Sequence, residues 1–523
     1  MPPSITTPIM APQVRCQRRL QRRQRRQRRQ RLQHQHQRLR IIQSMRLQRR
    51  SPDMRPLLLC SSLVVMVALS GCGAPPRDQG FSDVAALVQN RTGQAVHWRQ
   101  GTADDAQVAT AVNDLLGQPL TPDSAIQVAL LNNPRLHATY QELGISQAEL
   151  VQAGLLRNPT LVAGVKFFSA GPVIELSLVE NLLQVFTLPA RKRFAEAQLA
   201  QVKATVAGAI IDVMGDTRRA ALAVLAAQQT LEMRRAVLAA LDAAAELSTR
   251  IHAAGNSTTL EYSVEVAAAA QARLEVSVSE DAVLSARERL AVALGLWGNN
   301  ATRWTMSGRL PELPAADGTG DGTGMERQAI TASLDLLAMR EGARALGERY
   351  GIERLDAWFG DLQAGVIGER ESSGDWGFGP EAGIALPIFD QGQGRRAAAS
   401  AQIEHAARLY LARAVELRSQ VRVARSQVRS SYARARFLRE VLLPLRTRIV
   451  GESMLHYNGM LIGPFQALDA KRQEIEAGGQ YIDALERFWL ERTTLDQALQ
   501  GRAVGSSLNN AVRTETASEK RHD

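Results

Sequence analysis

Cys72 is the residue of this chain best placed for covalent chemistry. It closes an apolar segment that begins after Met54-Arg55, runs from Pro56 to Ala68 and ends in Leu69-Ser70-Gly71. A basic start, an apolar middle and small residues before the cysteine are the three parts of a bacterial export signal. The segment is too short for the roughly 20 residues of a membrane-spanning helix. The other cysteines, Cys16 and Cys60, lie upstream, so a chain cut before Cys72 keeps one thiol, with no disulfide framework and no cysteine metal site. His97, His137, His252, His405 and His456 are scattered without paired ligand spacing. No nucleophile–base set, phosphate-binding glycine loop or persuasive pair of carboxylates stands out, so the residues point away from an enzyme and ask for no cofactor.

A cysteine directly after Leu-Ser-Gly resembles the bacterial lipoprotein signal, which implies lipidation of the Cys72 thiol and a mature chain that starts there. Gly73 is not the aspartate that resembles an inner-membrane retention signal, so outer membrane sorting is expected. The formal charge of +11 suggests a nucleic-acid partner, but the fifteen arginines of residues 1–50 account for all of it, and the other 473 residues carry −4. That Arg/Gln-rich leader, residues 1–53, is low-complexity and cannot build a core. Either translation starts at Met54, or the leader is an arm with salt-dependent contacts to RNA or anionic lipid. No nucleic-acid partner is expected for the mature protein.

The rest of the chain divides into a signal segment (54–71), an N-terminal extension (72–118), a first repeat (119–298), a connector (299–324), a second repeat (325–501) and a disordered tail (502–523). The extension, with Pro75-Pro76 near its start, reads as a tether. In the first repeat, helical spacing starts at Thr121-Pro122 and runs to Leu156, with Pro134 either kinking the helix or opening the next one. Strand patterns follow at 160–167 and 173–178, punctuated by Gly171-Pro172 as in a hairpin. Residues 191–253 hold no proline, and at 1.5 Å per residue would make a helix of roughly 90 Å. A break at Gly255–Thr259 precedes a helix from 260 to 296. The second repeat offers a helix over 325–348, a strand over 355–367, a loop over 368–378 and a strand over 382–389. A long helix over 395–456, a turn over 457–464 and a helix over 465–500 complete it. Leu188-Pro189 and Leu386-Pro387 stand 198 residues apart, and the breaks at Gly255 and Gly459 stand 204 apart. The plan therefore occurs twice in the same order, an internal twofold repeat. Two strands per half have open edges, so they need closure by further copies before they can span a bilayer.

Several motifs resemble the outer membrane efflux protein family, the TolC-like tunnel proteins that end tripartite exporters. They are Pro119-Leu120-Thr121-Pro122-Asp123-Ser124-Ala125, Asn132-Asn133-Pro134-Arg135-Leu136, Ala153-Gly154-Leu155-Leu156-Arg157-Asn158-Pro159 and Ala385-Leu386-Pro387-Ile388-Phe389-Asp390-Gln391-Gly392. The likeness covers about residues 119–501, and the lipoprotein start occurs in many members. It implies a mostly α protein with a small transmembrane β part. Each copy would give four strands to a 12-stranded barrel shared by a homotrimer, and a coiled-coil tunnel would cross the periplasm.

The implied partners are outer membrane lipids, a periplasmic adaptor protein and an inner-membrane efflux pump of the RND type. The helix–turn–helix tips would meet the adaptor, through Gly255, Asn256, Ser257 and Thr258 in the first half and Gly459, Met460, Leu461 and Gly463 in the second. The tip glycines are expected to permit tight turns. Acidic residues beyond the second tip ring the narrow end of such tunnels. The match falls on Asp469, with Gln466 one turn earlier and Glu261 in the analogous place of the first half, which makes these three the pore-gate candidates. The competing reading is a lipid-anchored periplasmic coiled-coil structural or adaptor protein, which would be nearly pure helix.

Overall fold

The computed structural model describes residues 78–503, except 170, 321, 360, 361 and 372. The signal segment and Cys72 lie outside the described residues. Each helix start carries a local reason. Thr121 caps α3 (Pro122–Asn132) by accepting from the Ser124 amide at 3.1 Å. Asn133 caps α4 (Pro134–Ala153) by accepting from the Arg135 amide at 2.9 Å. Pro134 therefore opens a second helix, where its missing N–H is no loss.

Two helices precede these, α1 (Phe81–Thr92) and α2 (Ala103–Leu116). Val84, Val88 and Trp98 are buried in one cluster with Val206, Ala207, Ile210 and Ile211. From Phe81 onward the expected tether is thus a packed layer. Its polar composition (Asp104, Asp105 and Gln107 within α2) hid the helices from a reading by periodicity.

Strands β1 (Thr160–Phe168) and β2 (Gly171–Asn181) form the expected hairpin. Only Leu182 separates β2 from α5 (Leu183–Ala253), a continuous 71-residue helix that is roughly 105 Å long at 1.5 Å per residue. The helix starts before Pro189 rather than after it, and Pro189 lies inside it. Proline there removes one backbone hydrogen bond. The Arg191 guanidinium lies across the same turn, donating to the Gln184 carbonyl at 3.3 Å. Helix α5 is the spine: α1, α3, α4, α6 (Thr259–Leu294), α9 (Leu334–Phe359) and α12 (Pro464–Leu499) all pack on it. Gly215 permits the closest approach, since a Cβ there would lie 2.4 Å from the Gln497 side chain.

After the short helix α7 (Asn300–Arg303), α8 (Gly322–Ala332) and α9 replace the single helix expected over 325–348. Ser333 breaks them, accepting from the Leu336 amide at 3.2 Å as Asn133 does in the first half. The expected strand over 355–367 is corrected in register: Leu355–Phe359 belongs to α9, and β3 is Gln363–Arg370. Likewise β4 is Trp376–Gly383 rather than 382–389, leaving 384–389 outside the sheet. β4 alternates glycine with aromatics and contains Pro380, a composition that hides a strand. It is tolerated because β4 lies at an edge of the chain's sheet.

The expected helix over 395–456 comes in three pieces: α10 (Gln393–Phe437), a π-helical turn (Leu438–Leu442) and α11 (Leu443–Asn458). Pro444 supplies the cause, because its ring excludes the carbonyl four residues back and its nitrogen donates nothing. No helix among the described residues is long and apolar enough to cross a membrane.

The element order of the first half recurs in the second. Each medium helix ends in a left-handed glycine pressed onto its half's helix break: Gly295 (φ 68°) against Asn132–Pro134, and Gly501 (φ 106°) against Ala332. A buried ionic chain ties the two halves. Arg413, 2% exposed, donates to Asp335 at 2.6 Å; Asp335 also accepts from Arg502, which reaches Asp212 at 2.7 Å. Gln497 donates to the second Asp212 oxygen at 2.8 Å. Burial raises the Asp212 carboxyl above its ordinary value. Burial alone would lower Arg502, and the two carboxylates beside it outweigh that.

Candidate functional site

Two surfaces follow from the fold: the sheet and the paired tips. The four strands run antiparallel in the order β1-β2-β3-β4. Side chains alternate across a sheet, and the register gathers Leu161, Val165, Phe167, Leu176, Leu178, Val366, Phe378 and Trp376 on one face. All eight are exposed. The other face carries Lys166, Glu175, Ser177, Glu369, Gln363 and Glu381. Lys166 pairs with Glu175 there, and Glu369 stands directly opposite Glu175. That second face also holds Val162, Phe168, Val173, Val179 and Ile367, so the sheet is mainly apolar on one side, with Glu180 and Arg370 near its ends, and mixed on the other, where three of the four charges are acidic. Among the described residues, no strand pairs with the outer edge of β1 or of β4.

Both tips use one backbone turn. In the first, the Asn256 amide donates to the Ile251 carbonyl at 3.1 Å and the Gly255 amide to His252 at 2.9 Å. In the second, the Leu461 amide donates to His456 at 2.9 Å and the Met460 amide to Tyr457 at 2.9 Å. This is a Schellman-type closure with its left-handed residue at Gly255 (φ 75°) and Met460 (φ 59°). The expected role of Gly459 and Gly463 is corrected accordingly. Their φ values are −80° and −81°, and a methionine carries the left-handed position.

Side chains then distinguish the tips. Thr258 and Glu261 form a reciprocal capping box at 2.8 Å and 3.2 Å. His252 stacks on Tyr262 with ring centroids 5.0 Å apart, and its Nδ1 meets the Ser257 carbonyl at 3.0 Å. Sequence reading missed this stack, although His252 and Tyr262 flank the turn symmetrically. At the second tip Met460 is 94% and Leu461 73% exposed.

Of the gate candidates, Glu261 and Gln466 prove equivalent to each other. Each binds the amide three residues upstream, Glu261 that of Thr258 and Gln466 that of Gly463 at 2.8 Å. The Thr258 amide, then its hydroxyl, hold the Glu261 carboxyl below its ordinary value. Asp469 lies one turn further along α12, with its side chain 47% exposed. Its Oδ1 accepts from Arg472 at 2.6 Å and its Oδ2 from Gln473 at 2.6 Å. Arg472 also reaches Glu476 at 2.6 Å, and the Asp469 hydrogen bond holds its guanidinium above the ordinary value. Arg446 and Thr447 of α11 bind Gln473 and Glu474 at 2.5 Å and 2.8 Å. The structure therefore brings Asp469 into a network clamping α11 to α12, and leaves Glu261 on the other hairpin. Only the i, i+3 and i, i+4 spacings within α12 announced any of this. Among the described residues, no group of histidines, cysteines and carboxylates could hold a metal ion.

The sheet sets aside the nearly pure helical alternative, and solved structures share the arrangement. The outer membrane protein VceC of Vibrio cholerae matches with a TM-score of 0.58 at 18% identity, over 75% of this chain and 97% of that one. The open-state MtrE outer membrane channel of Neisseria gonorrhoeae matches with a TM-score of 0.58 at 16% identity, over 74% and 91%. The chain has the fold of the outer membrane efflux channels, as the motifs from Pro119 onward implied. Among curated proteins it is similar to the cobalt-zinc-cadmium resistance protein CzcC of Cupriavidus metallidurans. The two are 25% identical over 390 residues, 73% of this chain and 90% of that one. No family model matches the chain.

Proposed function

We propose that the protein is the outer membrane channel of a tripartite efflux system, passively conducting substrate from an inner-membrane pump and periplasmic adaptor. The sheet carries this reading. Four strands with one mainly apolar face, one mixed face that carries three glutamates, and two edges unpaired among the described residues are stable in a bilayer only when further copies close them into a barrel. Three copies give twelve strands, with the exposed leucines and aromatics toward lipid and Glu175, Glu369 and Glu381 toward the lumen. Helix α5 and its second-half counterparts then form the tunnel wall. The two tips meet the adaptor, and Cys72 anchors the N-terminal extension to the membrane. CzcC is named for resistance to cobalt, zinc and cadmium; divalent cations are the cargo that an acidic lumen suits.

The deciding experiment reconstitutes the detergent-extracted chain in planar bilayers. A trimer with cation-selective conductance is expected; a monomer that leaves the bilayer insulating overturns the proposal. At the gate, Asp469→Ala releases Arg472 to Glu476 alone, so cation sensitivity of the conductance should fall. Unchanged sensitivity removes Asp469 from the gate.

A further inference from the structure

An arginine from the N-terminal layer reaches each junction between a medium helix and a helix break. At the second junction Arg91 is committed to backbone, donating to the carbonyls of Ala332 and, at 3.2 Å, Gln500. The cavity beside it includes Asp496, which Arg492 holds at 3.0 Å. The first junction differs. One Arg99 nitrogen donates to Asn132 Oδ1 at 3.1 Å, while its Nε is buried without an acceptor.

Of the two acids that follow Arg99 in sequence, Asp104 is exposed and Asp105 is fully engaged. Its Oδ1 meets His97 at 2.7 Å, and its Oδ2 takes the amides of Gln100, Gly101 and Thr102 at 3.1, 2.6 and 3.0 Å. Burial, with Arg99's charge adding to it, keeps His137 below its ordinary value, so Arg99 is the standing cation of this corner. Beside it lies a cavity of about 210 Å³ lined by Val112, Leu116 and Leu296 together with Asn113, Asn132 and Asn300. Trp297, 84% exposed, stands at its edge.

We propose that this cavity binds a small organic monocarboxylate with an apolar body. The carboxylate takes the Nη end of the Arg99 guanidinium, the accessible part of this half-buried side chain, where a charge-assisted pair is stronger than a neutral hydrogen bond. The body lies on the three aliphatic side chains under the indole of Trp297. The volume is below the range of drug-sized pockets, which restricts the ligand to a single ring or short chain. The second junction differs in that Nη1 of its arginine is held by two backbone carbonyls and its cavity is lined by the carboxylate of Asp496.

The test titrates the intact detergent-solubilised chain with benzoate and with uncharged benzamide, by equilibrium dialysis and tryptophan fluorescence. Benzoate should saturate and benzamide should bind at least about tenfold more weakly. Arg99→Gln should weaken benzoate about tenfold or more, and Trp297→Phe should abolish the fluorescence change while dialysis still detects binding. Equal binding of the two probes, absence of saturation, or a fluorescence change that survives Trp297→Phe each overturns the proposal. Should Arg99→Gln fail to fold, the benzoate-to-benzamide ratio on the unaltered chain decides alone.

Discussion

The two halves repeat one plan with different stiffness. In the first, one residue joins strand to helix, and α5 then runs unbroken to a tip held by a threonine cap and a ring stack. In the second, residues 384–392 separate β4 from α10, a π turn interrupts the long helix, and the tip exposes Met460 and Leu461 over a weaker cap. The difference teaches that one recurring order of elements can be built once without interruption and once in pieces. What the second half lacks in continuity it replaces by anchorage, since Arg413 holds α10 through the buried Asp335. The first half's interhelical pairs lie nearer solvent: Arg234–Glu275, Arg235–Glu280 and Arg273–Asp242 join α5 to α6 with partly exposed side chains, and Arg218–Asp123 leaves its aspartate 73% exposed.

That contrast can be broken most forcefully at the anchor. Arg413→Ala leaves Asp335 with Arg502 alone, and losing a largely buried charged hydrogen bond costs about 1.5–3 kcal/mol. Arg218→Ala should cost under about 1 kcal/mol. Thermal melting of the two variants in detergent should separate them clearly, and equal melting points would remove the asymmetry. Next in size is recognition at the tips. Leu461→Glu should leave stability within about 0.5 kcal/mol yet weaken adaptor capture about tenfold, or ~1.4 kcal/mol. Unaltered capture would exclude the second tip as the apolar contact.

A smaller effect, opposite in sign at the two tips, tests the shared turn. Gly255→Ala introduces a Cβ into open space, so its cost is conformational alone, about 1 kcal/mol. Met460→Gly should return a similar amount, and loss of stability in both variants would refute a common left-handed turn. The smallest effect is on pH. Folding lowers the Glu261 pKa, so its cap stabilises fully above the unfolded value of about 4.3 and is lost as pH falls through the lower folded value. Gln466 does not titrate. Hydrogen exchange of the Thr258 amide should therefore speed up in acid relative to the Gly463 amide. Parallel behaviour of the two would show that Glu261 is not the cap.

Much of this plan was legible because long proline-free, alanine-rich stretches and paired turn signals leave few alternatives. The hairpin over 160–181 and both tips fell where glycine and proline punctuate the pattern. β4 escaped because glycine and proline are depleted in strands, so Gly377, Gly379 and Pro380 mask its pattern. The start of α5 escaped because Pro189 reads as a boundary, while its turn is held by Arg191 from two residues further on. The chain Arg413–Asp335–Arg502–Asp212 joins residues up to 290 apart, so no local pattern announces it. The gate candidates were found by position, but their partners were not. Glu261 and Gln466 turned out to be one structural position in two halves, while Asp469 belongs to a clamp.

The single residue between β2 and α5 has a mechanical consequence. A helix of about 105 Å leaving a strand without slack is a lever, and one degree of rotation at its base moves the far end by about 2 Å. In the channel proposed above, with Thr160 to Asn181 in the bilayer, the lateral position of Gly255 would follow any change of strand tilt at the membrane, and the lipid surroundings would become a determinant of how the first tip presents itself.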